Sequence, residues 1–295
     1  MSKELQVHAH AKVNLFLSVG ARRPDGYHEI ETILRSISVA DRIHLRRTDS
    51  PGVSLTVLPA LPVPAEHNIV SKAAELFLKS IGESRSGLAI ELTKVIPWGA
   101  GLGGGSADAA GTLRAANRLF DNPLSDEKLS SLALQLGADV PFCLTGGLAT
   151  ARGIGEKLEY HPPCDLHLVL IKPELSISTA WAYGATDAEP IRPKFVGLDV
   201  LVQRLLKDGA LSLASRTANE FESVVFAAHP SIRDLKSQLA DAGASWSLLT
   251  GSGSAVYGVF ASADQAKSAA AQLAAELPGH AVMAASGVPR GVEGC

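Results

Sequence analysis

Between residues 6 and 19 apolar side chains recur at every second position. Val7, Ala9, Ala11, Val13, Leu15, Leu17 and Val19 share one face of an extended segment, and Lys12, Asn14, Phe16 and Ser18 share the other. The period of two predicts a strand whose first face builds core. The second face presents Lys12 and Asn14 one pleat apart, and for a strand lysine taken by itself solvent is the expected destination. Residues 30–38 and 42–47 read as two more strands, followed by a proline-punctuated connection through Pro64. At residues 68–79 the apolar spacing lengthens to that of an amphipathic helix, through Ile69, Ala73, Leu76 and Phe77. Residues 88–96 return to a strand. Ala109, Leu113, Ala116 and Phe120 then mark a helix, and Leu129, Leu132, Ala133 and Leu136 mark another, capped by Ser125 or Asp126 and closed by Gly137.

A sharp turn at Gly146-Gly147 leads into a further strand, and the composition changes at His161-Pro162-Pro163, a natural place for a domain boundary. Beyond it come a strand at 166–171, helices near 200–207, 220–227 and 232–242, strands at 246–250 and 255–260, a helix at 264–277 and a strand at 281–285. Gly251-Ser252-Gly253-Ser254 joins the paired strands as a permissive hairpin turn. The tail after Gly287 reads as frayed. The sum is an α+β chain with domains at 1–160 and 161–295.

One stretch breaks every periodicity. In Pro97-Trp98-Gly99-Ala100-Gly101-Leu102-Gly103-Gly104-Gly105-Ser106-Ala107-Asp108, five of seven consecutive residues are glycine, between a strand and a helix. Backbone N–H groups at such a join, with the positive end of the helix dipole, attract an anion, so the loop reads as a phosphate cradle. It is not a P-loop, because no lysine precedes a serine or threonine at its end. Gly99-x-Gly101-x-x-Gly104 satisfies the dinucleotide fingerprint, but the acid expected to end a second strand, Asp121, follows directly on a helix. Two other places offer chemistry. Pro24-Asp25-Gly26 is a turn that delivers Tyr27 and His28 side by side, a flat aromatic and a donor–acceptor ring suited to a heterocyclic base. Asp139, after a helix and before Val140-Pro141, is most simply a cap or turn former.

Composition narrows the choice. The 295 residues carry a formal net charge of -3, with 19% charged and 46% hydrophobic residues, and a pI of about 6.3. That gives no electrostatic case for nucleic acid or an anionic membrane surface and favours small-molecule chemistry. The three cysteines, Cys143, Cys164 and Cys295, have no metal-type spacing and fit a reducing compartment, so the cytoplasm is expected and no protein-held metal is.

Ala11-Lys12-Val13-Asn14-Leu15 with Arg23-Pro24-Asp25-Gly26-Tyr27-His28, the stretch 97–110, Gly137-Ala138-Asp139-Val140-Pro141-Phe142 and Leu249-Thr250-Gly251-Ser252-Gly253-Ser254 together resemble the GHMP kinases, the superfamily of galactokinase and of homoserine, mevalonate and phosphomevalonate kinases. The likeness runs from Lys12 to about Phe260. Asp-Gly-Tyr-His and the lengthened glycine run are most similar to the branch acting on 4-diphosphocytidyl-2-C-methyl-D-erythritol. The resemblance implies two domains, an ATP-binding one like domain 2 of ribosomal protein S5 and a ferredoxin-like one, with the active site in the cleft between them. It implies transfer of the ATP γ-phosphate to the 2-hydroxyl of that substrate in non-mevalonate isoprenoid synthesis, with Mg²⁺ arriving mainly on the ATP phosphates. Asp139 becomes the general base and Lys12 its charge partner. Asn68, Lys94, Pro97, Gly99, Ala100, Gly101, Leu102, Gly103, Gly104, Gly105 and Ser106 fall on the ATP side. Asn14, Tyr27, His28, Asp139, Thr179 and Tyr183 fall on the substrate side, with Tyr183 over one cytosine face and Trp181 its rival. Ala107 stands where many members have a second serine, and Asn219-Glu220 replaces a commoner asparagine–aspartate pair. The competing readings are a kinase for homoserine or mevalonate and an inert nucleotide-binding homologue.

Overall fold

The computed structural model describes residues 4–188 and 197–294. Its chain begins as a long antiparallel pair, β1 (Glu4–Arg22) and β2 (His28–Thr48). The turn between them is closed by Asp25, whose Oδ1 accepts the Tyr27 N–H at 3.1 Å. β3 (Gly52–Leu58), α1 (Ile69–Ser80) and β4 (Gly87–Thr93) form a parallel β-α-β unit, and β4 also runs antiparallel to the second half of β2. Next come α2 (Gly104–Leu119), α3 (Asp126–Leu136), α4 (Val140–Thr145), β5 (Leu148–Arg152) on the first half of β2, and β6 (Lys157–His161) on β5.

The second layer contains β7 (His167–Lys172), α5 (Thr179–Asp187), α6 (Leu198–Asp208), α7 (Phe221–Ala228), α8 (Pro230–Asp241), β8 (Trp246–Leu249), β9 (Val256–Phe260), α9 (Ala263–Glu276) and β10 (Ala281–Ser286). Its strands are antiparallel throughout in the order β10-β7-β9-β8, the split arrangement of a ferredoxin-like sheet. The α+β class and both sheet types expected from the sequence are present. The chain then returns, and β11 (Val292–Glu293) pairs with β1 in the first sheet.

α2 organises the first half. Its alanines, among them Ala107, Ala109, Ala110, Ala115 and Ala116, are fully buried, and their small size lets the helix lie close against β1 and β2. Each fully buried Leu, Ile or Phe in this core, such as Leu15, Ile33 or Phe77, contributes about 1.5–3 kcal/mol over an exposed position. No helix among the described residues is long and apolar enough to cross a membrane.

Several elements differ from the sequence reading. β2 is one strand rather than two, because the polar interruption at Asp41 is buried and its carboxylate accepts the N–H groups of Val95 and Ile96 at 2.5 and 2.8 Å. Lys12 does not reach solvent: it is 4% exposed, since the glycine-rich loop lies directly on its side chain at Gly103. The tail is ordered, with Gly287 N–H donating to Leu166 O, Val288 to Ser36 O and Gly291 to Thr145 O.

Candidate active site

The glycine-rich loop is held open from behind. Lys12 N–H donates to Leu102 O at 3.0 Å, Ala255 N–H to Ala100 O at 3.1 Å, and Thr250 Oγ1 to Gly101 O at 3.2 Å. Ser254 N–H reaches Gly99 O at 3.4 Å. The carbonyls of residues 99 to 102 are thus engaged outward, whereas no backbone N–H from Gly99 to Ser106 has a backbone acceptor among the described residues. Gly103, with φ of 69°, turns the chain into α2, whose first amides are free by the geometry of a helix start. A β-carbon at Gly103 would lie 2.9 Å from Lys12 Cγ, so the loop rests directly on the lysine. This is an anion cradle in form: donors inward, acceptors tied away, dipole behind.

Beside it stand Lys12 and Asp139. Asp139 precedes α4, whose first turn contains Pro141. Its backbone is already helical, at φ -79° and ψ -17°, and its side chain caps nothing. The cap reading is therefore set aside, and the carboxylate faces Lys12 Nζ at 3.5 Å. Lys12 is buried while Asp139 is 37% exposed at its side chain, so the base is reachable and its counter-charge is not. Lys12 Nζ also donates to Asn14 Oδ1 at 2.8 Å, and Asn14 Nδ2 donates to Thr32 Oγ1 at 2.9 Å. Gly251 N–H donates to the same Asn14 oxygen at 3.0 Å, which ties β1 to the β8–β9 turn. Asn219 fixes that turn from beneath, its Nδ2 donating to Leu249 O and Gly251 O at 2.8 Å each. Asn219 is thus a structural brace.

Lys12, Asn14, Asp139, Gly101, Gly103 and Ser106 line a cavity of about 790 Å³ that Tyr27 and His28 line as well. That volume suits a nucleotide-sized ligand. Tyr27 is 61% exposed at the rim. His28 is buried, its Nε2 lies 2.8 Å from Asp187 Oδ1, and its ring stacks on Tyr183 at 4.8 Å between centroids. Tyr183 in turn meets the Phe221 ring edge-on at 4.9 Å. Burial, with the nearby Asp139 charge, pushes the Tyr183 phenol up to about 12, so it stays neutral at ordinary pH. Tyr183 lines the cavity; Trp181 instead tilts against His229 and is not among the walls. Thr179 lines it as well, its hydroxyl 3.0 Å from Ser252 Oγ.

Of the residues expected on the ATP side, Gly101, Gly103 and Ser106 line the cavity, whereas Asn68, Lys94, Pro97, Gly99, Ala100, Leu102, Gly104 and Gly105 lie outside its walls. Asn68 caps α1, its Oδ1 accepting the Val70 N–H at 2.9 Å. Lys94 sits between two carboxylates, bonding Asp41 and, at 2.6 Å, Asp108 Oδ2. Burial opposes its charge, but Asp108 and Asp41 together outweigh it and raise the Lys94 pKa. Asp187, Asp41, Asp108 and Thr32 were not singled out from sequence, because each acquires its partner only through the fold. Among the described residues no group of three or more His, Cys, Asp or Glu could hold a metal ion.

Comparison with known proteins places this geometry. Family profiles match at residues 68–147 (GHMP kinases N terminal domain) and 200–279 (GHMP kinases C terminal). The 4-diphosphocytidyl-2-C-methyl-D-erythritol kinase of Pelotomaculum thermopropionicum is 43% identical over 90% of this chain and 92% of its own length. That of Desulfitobacterium hafniense is 42% identical over 91% of each. A crystal structure of 4-(cytidine 5'-diphospho)-2C-methyl-D-erythritol kinase superposes with a TM-score of 0.83 at 35% identity, covering 96% of this chain and 99% of that one. Homoserine kinase from Cytophaga hutchinsonii, at TM-score 0.76 and 24% identity over 99% and 98% of the two chains, shares the fold.

Proposed function

From the premise that the chain belongs to the GHMP kinases and, among them, to the 4-diphosphocytidyl-2-C-methyl-D-erythritol kinases, we propose how its cleft phosphorylates the 2-hydroxyl of that substrate at the expense of ATP. The observation that carries the reading is that Lys12, Asp139, three residues of the glycine-rich loop (Gly101, Gly103 and Ser106) and the Tyr27-His28 pair all line one cavity.

ATP lays its phosphates in the cradle of residues 99–106, where free amides and the α2 dipole offset their charge without side-chain rearrangement. Asn68, Lys94 and Pro97 shape the adenosine side from behind the loop. Asp139 accepts the proton of the substrate hydroxyl as that oxygen forms its bond to the γ-phosphorus and the bond to the ADP oxygen breaks. Lys12, 3.5 Å away, stands opposite the carboxylate as its counter-charge and shields negative charge during transfer. Base catalysis is worth about 10²- to 10⁴-fold, and positioning with charge stabilisation supplies the rest. Tyr27 and Tyr183 flank the cytosine and His28 reads its edge, while Asn14 and Thr179 line the path between base and reacting hydroxyl. Mg²⁺, when bound, would neutralise phosphate charge, carried largely by phosphate oxygens and water. The division at residue 160 separates an ATP-binding half from a half that covers the substrate. A cytoplasmic location goes with this reading and with the free, sheltered thiols of Cys143 and Cys164.

The test is a phosphate-transfer assay with ATP across candidate alcohols, the product position read by phosphorus NMR. Saturable transfer to the 2-hydroxyl of the diphosphocytidyl substrate is expected, with none to homoserine or mevalonate. The reverse preference would overturn the assignment.

A further inference from the structure

His28 is not left to choose its own proton position. Its Nε2 lies 2.8 Å from Asp187 Oδ1, a carboxylate oxygen that accepts and cannot donate when ionised. The contact spans 159 positions of sequence and joins the start of β2 to the last residue of α5. An acidic residue in the last turn of a helix stands against the macrodipole. Both residues line the cavity. The other ring nitrogen, Nδ1, has no hydrogen-bond partner among the described residues and is not sealed from the cavity. Tyr183 stacked on the ring at 4.8 Å restrains its plane.

We propose that Asp187 is a positioning residue that sets cytosine-over-uracil selectivity by holding the His28 proton on Nε2. A neutral imidazole with its proton committed to Asp187 presents only a lone pair at Nδ1. Such an acceptor matches the 4-amino group of cytosine, which donates. It opposes the 4-oxo group of uracil, where two lone pairs would face each other in a desolvated slot. The selectivity thus follows from a carboxylate that never touches the base, in the way that a partner on one imidazole nitrogen fixes what the other offers a metal. This rests on the cytidyl reading given above.

The experiment compares ATP-dependent phosphorylation of the diphosphocytidyl substrate and of its uridine counterpart, identical except at the base, by the full-length enzyme and by Asp187→Asn. An amide at 187 can donate to Nε2 as well as accept from it, which frees the proton to move to Nδ1. The cytidine-to-uridine ratio of kcat/KM is expected to fall by about ten- to a hundredfold in the variant. The loss should appear mainly in KM for the cytidine compound, with kcat and ATP affinity retained. Nitrogen-15 NMR of the wild-type imidazole provides a second reading that needs no variant, and should show Nε2 protonated and Nδ1 bare. A ratio unchanged in Asp187→Asn, or a ring protonated at Nδ1 or at both nitrogens, overturns the proposal while leaving the kinase assignment intact. Failure of the wild-type enzyme to phosphorylate either compound would instead defeat the cytidyl reading itself.

Discussion

At Gly101 the backbone does what no other residue could do there. Its φ is +77°, and an added β-carbon would lie 2.0 Å from the Thr250 carbonyl oxygen, against backbone that is itself held by Asn219 below the turn. Gly101→Ala must therefore distort the contact between phosphate loop and β8–β9 turn. It should cost about 1–3 kcal/mol in urea unfolding and weaken ATP binding at least about tenfold in calorimetry. Wild-type affinity and stability together would show that the loop does not depend on this approach. The residues legible from sequence were those whose chemistry shows in neighbouring letters: a glycine run, Pro-Asp-Gly before Tyr27-His28, a lysine on an alternating strand. Asp187 and Thr32 were not legible, because their roles lie in contacts to His28 and Asn14 that only the fold creates.

Among the elements, β2, β4 and α2 are pinned at one point by the Lys94 ammonium between the Asp41 and Asp108 carboxylates. Two acids share one base in a buried place. Burial, aggravated by the Asp41 charge and only partly offset by Lys94, pushes the Asp108 carboxyl well up, and its Oδ1 has no hydrogen-bond partner among the described residues. Lys94→Met leaves two carboxylates facing each other and should cost about 3–5 kcal/mol in equilibrium unfolding. Asp108→Asn keeps an acceptor for Lys94 and removes the surplus charge, so its cost should be a small fraction of that. The opposite ranking would contradict this account of the cluster. The same cluster explains why the pattern of residues 30–47 suggested two strands: an aspartate inside a strand normally ends it, but here residues 94–96, just past β4, supply Asp41 with two N–H groups and a cation. Period and capping letters were enough for α1, α3 and α9. The six-residue α4, and β11 with its two residues, are too short to carry a period and form because tertiary contacts complete them.

On the scale of the whole molecule, two sheets of different origin meet over β1, and the C-terminal segment crosses back to fasten them. Arg35, buried in β2, donates to Val288 O at 2.5 Å and to Cys164 O at 3.1 Å, so one side chain holds both the returning tail and the segment entering the second layer. Removing residues 287–295 should lower the melting temperature by several degrees and raise KM for both substrates, since Lys12 and Asn14 lie on the strand that β11 borders; an unchanged melting curve would show the tail to be dispensable. The cleft exists only where the layers converge, which is why the sequence pointed to its parts and the family resemblance to their union. Everything said of the reaction depends on Asp139 taking a proton beside Lys12. The most direct measurement is the turnover number of Asp139→Asn with ATP and the diphosphocytidyl substrate, alongside ATP affinity by calorimetry. The expected result is unchanged ATP binding with kcat lowered by about 10²- to 10⁴-fold; turnover at the wild-type rate would contradict the account.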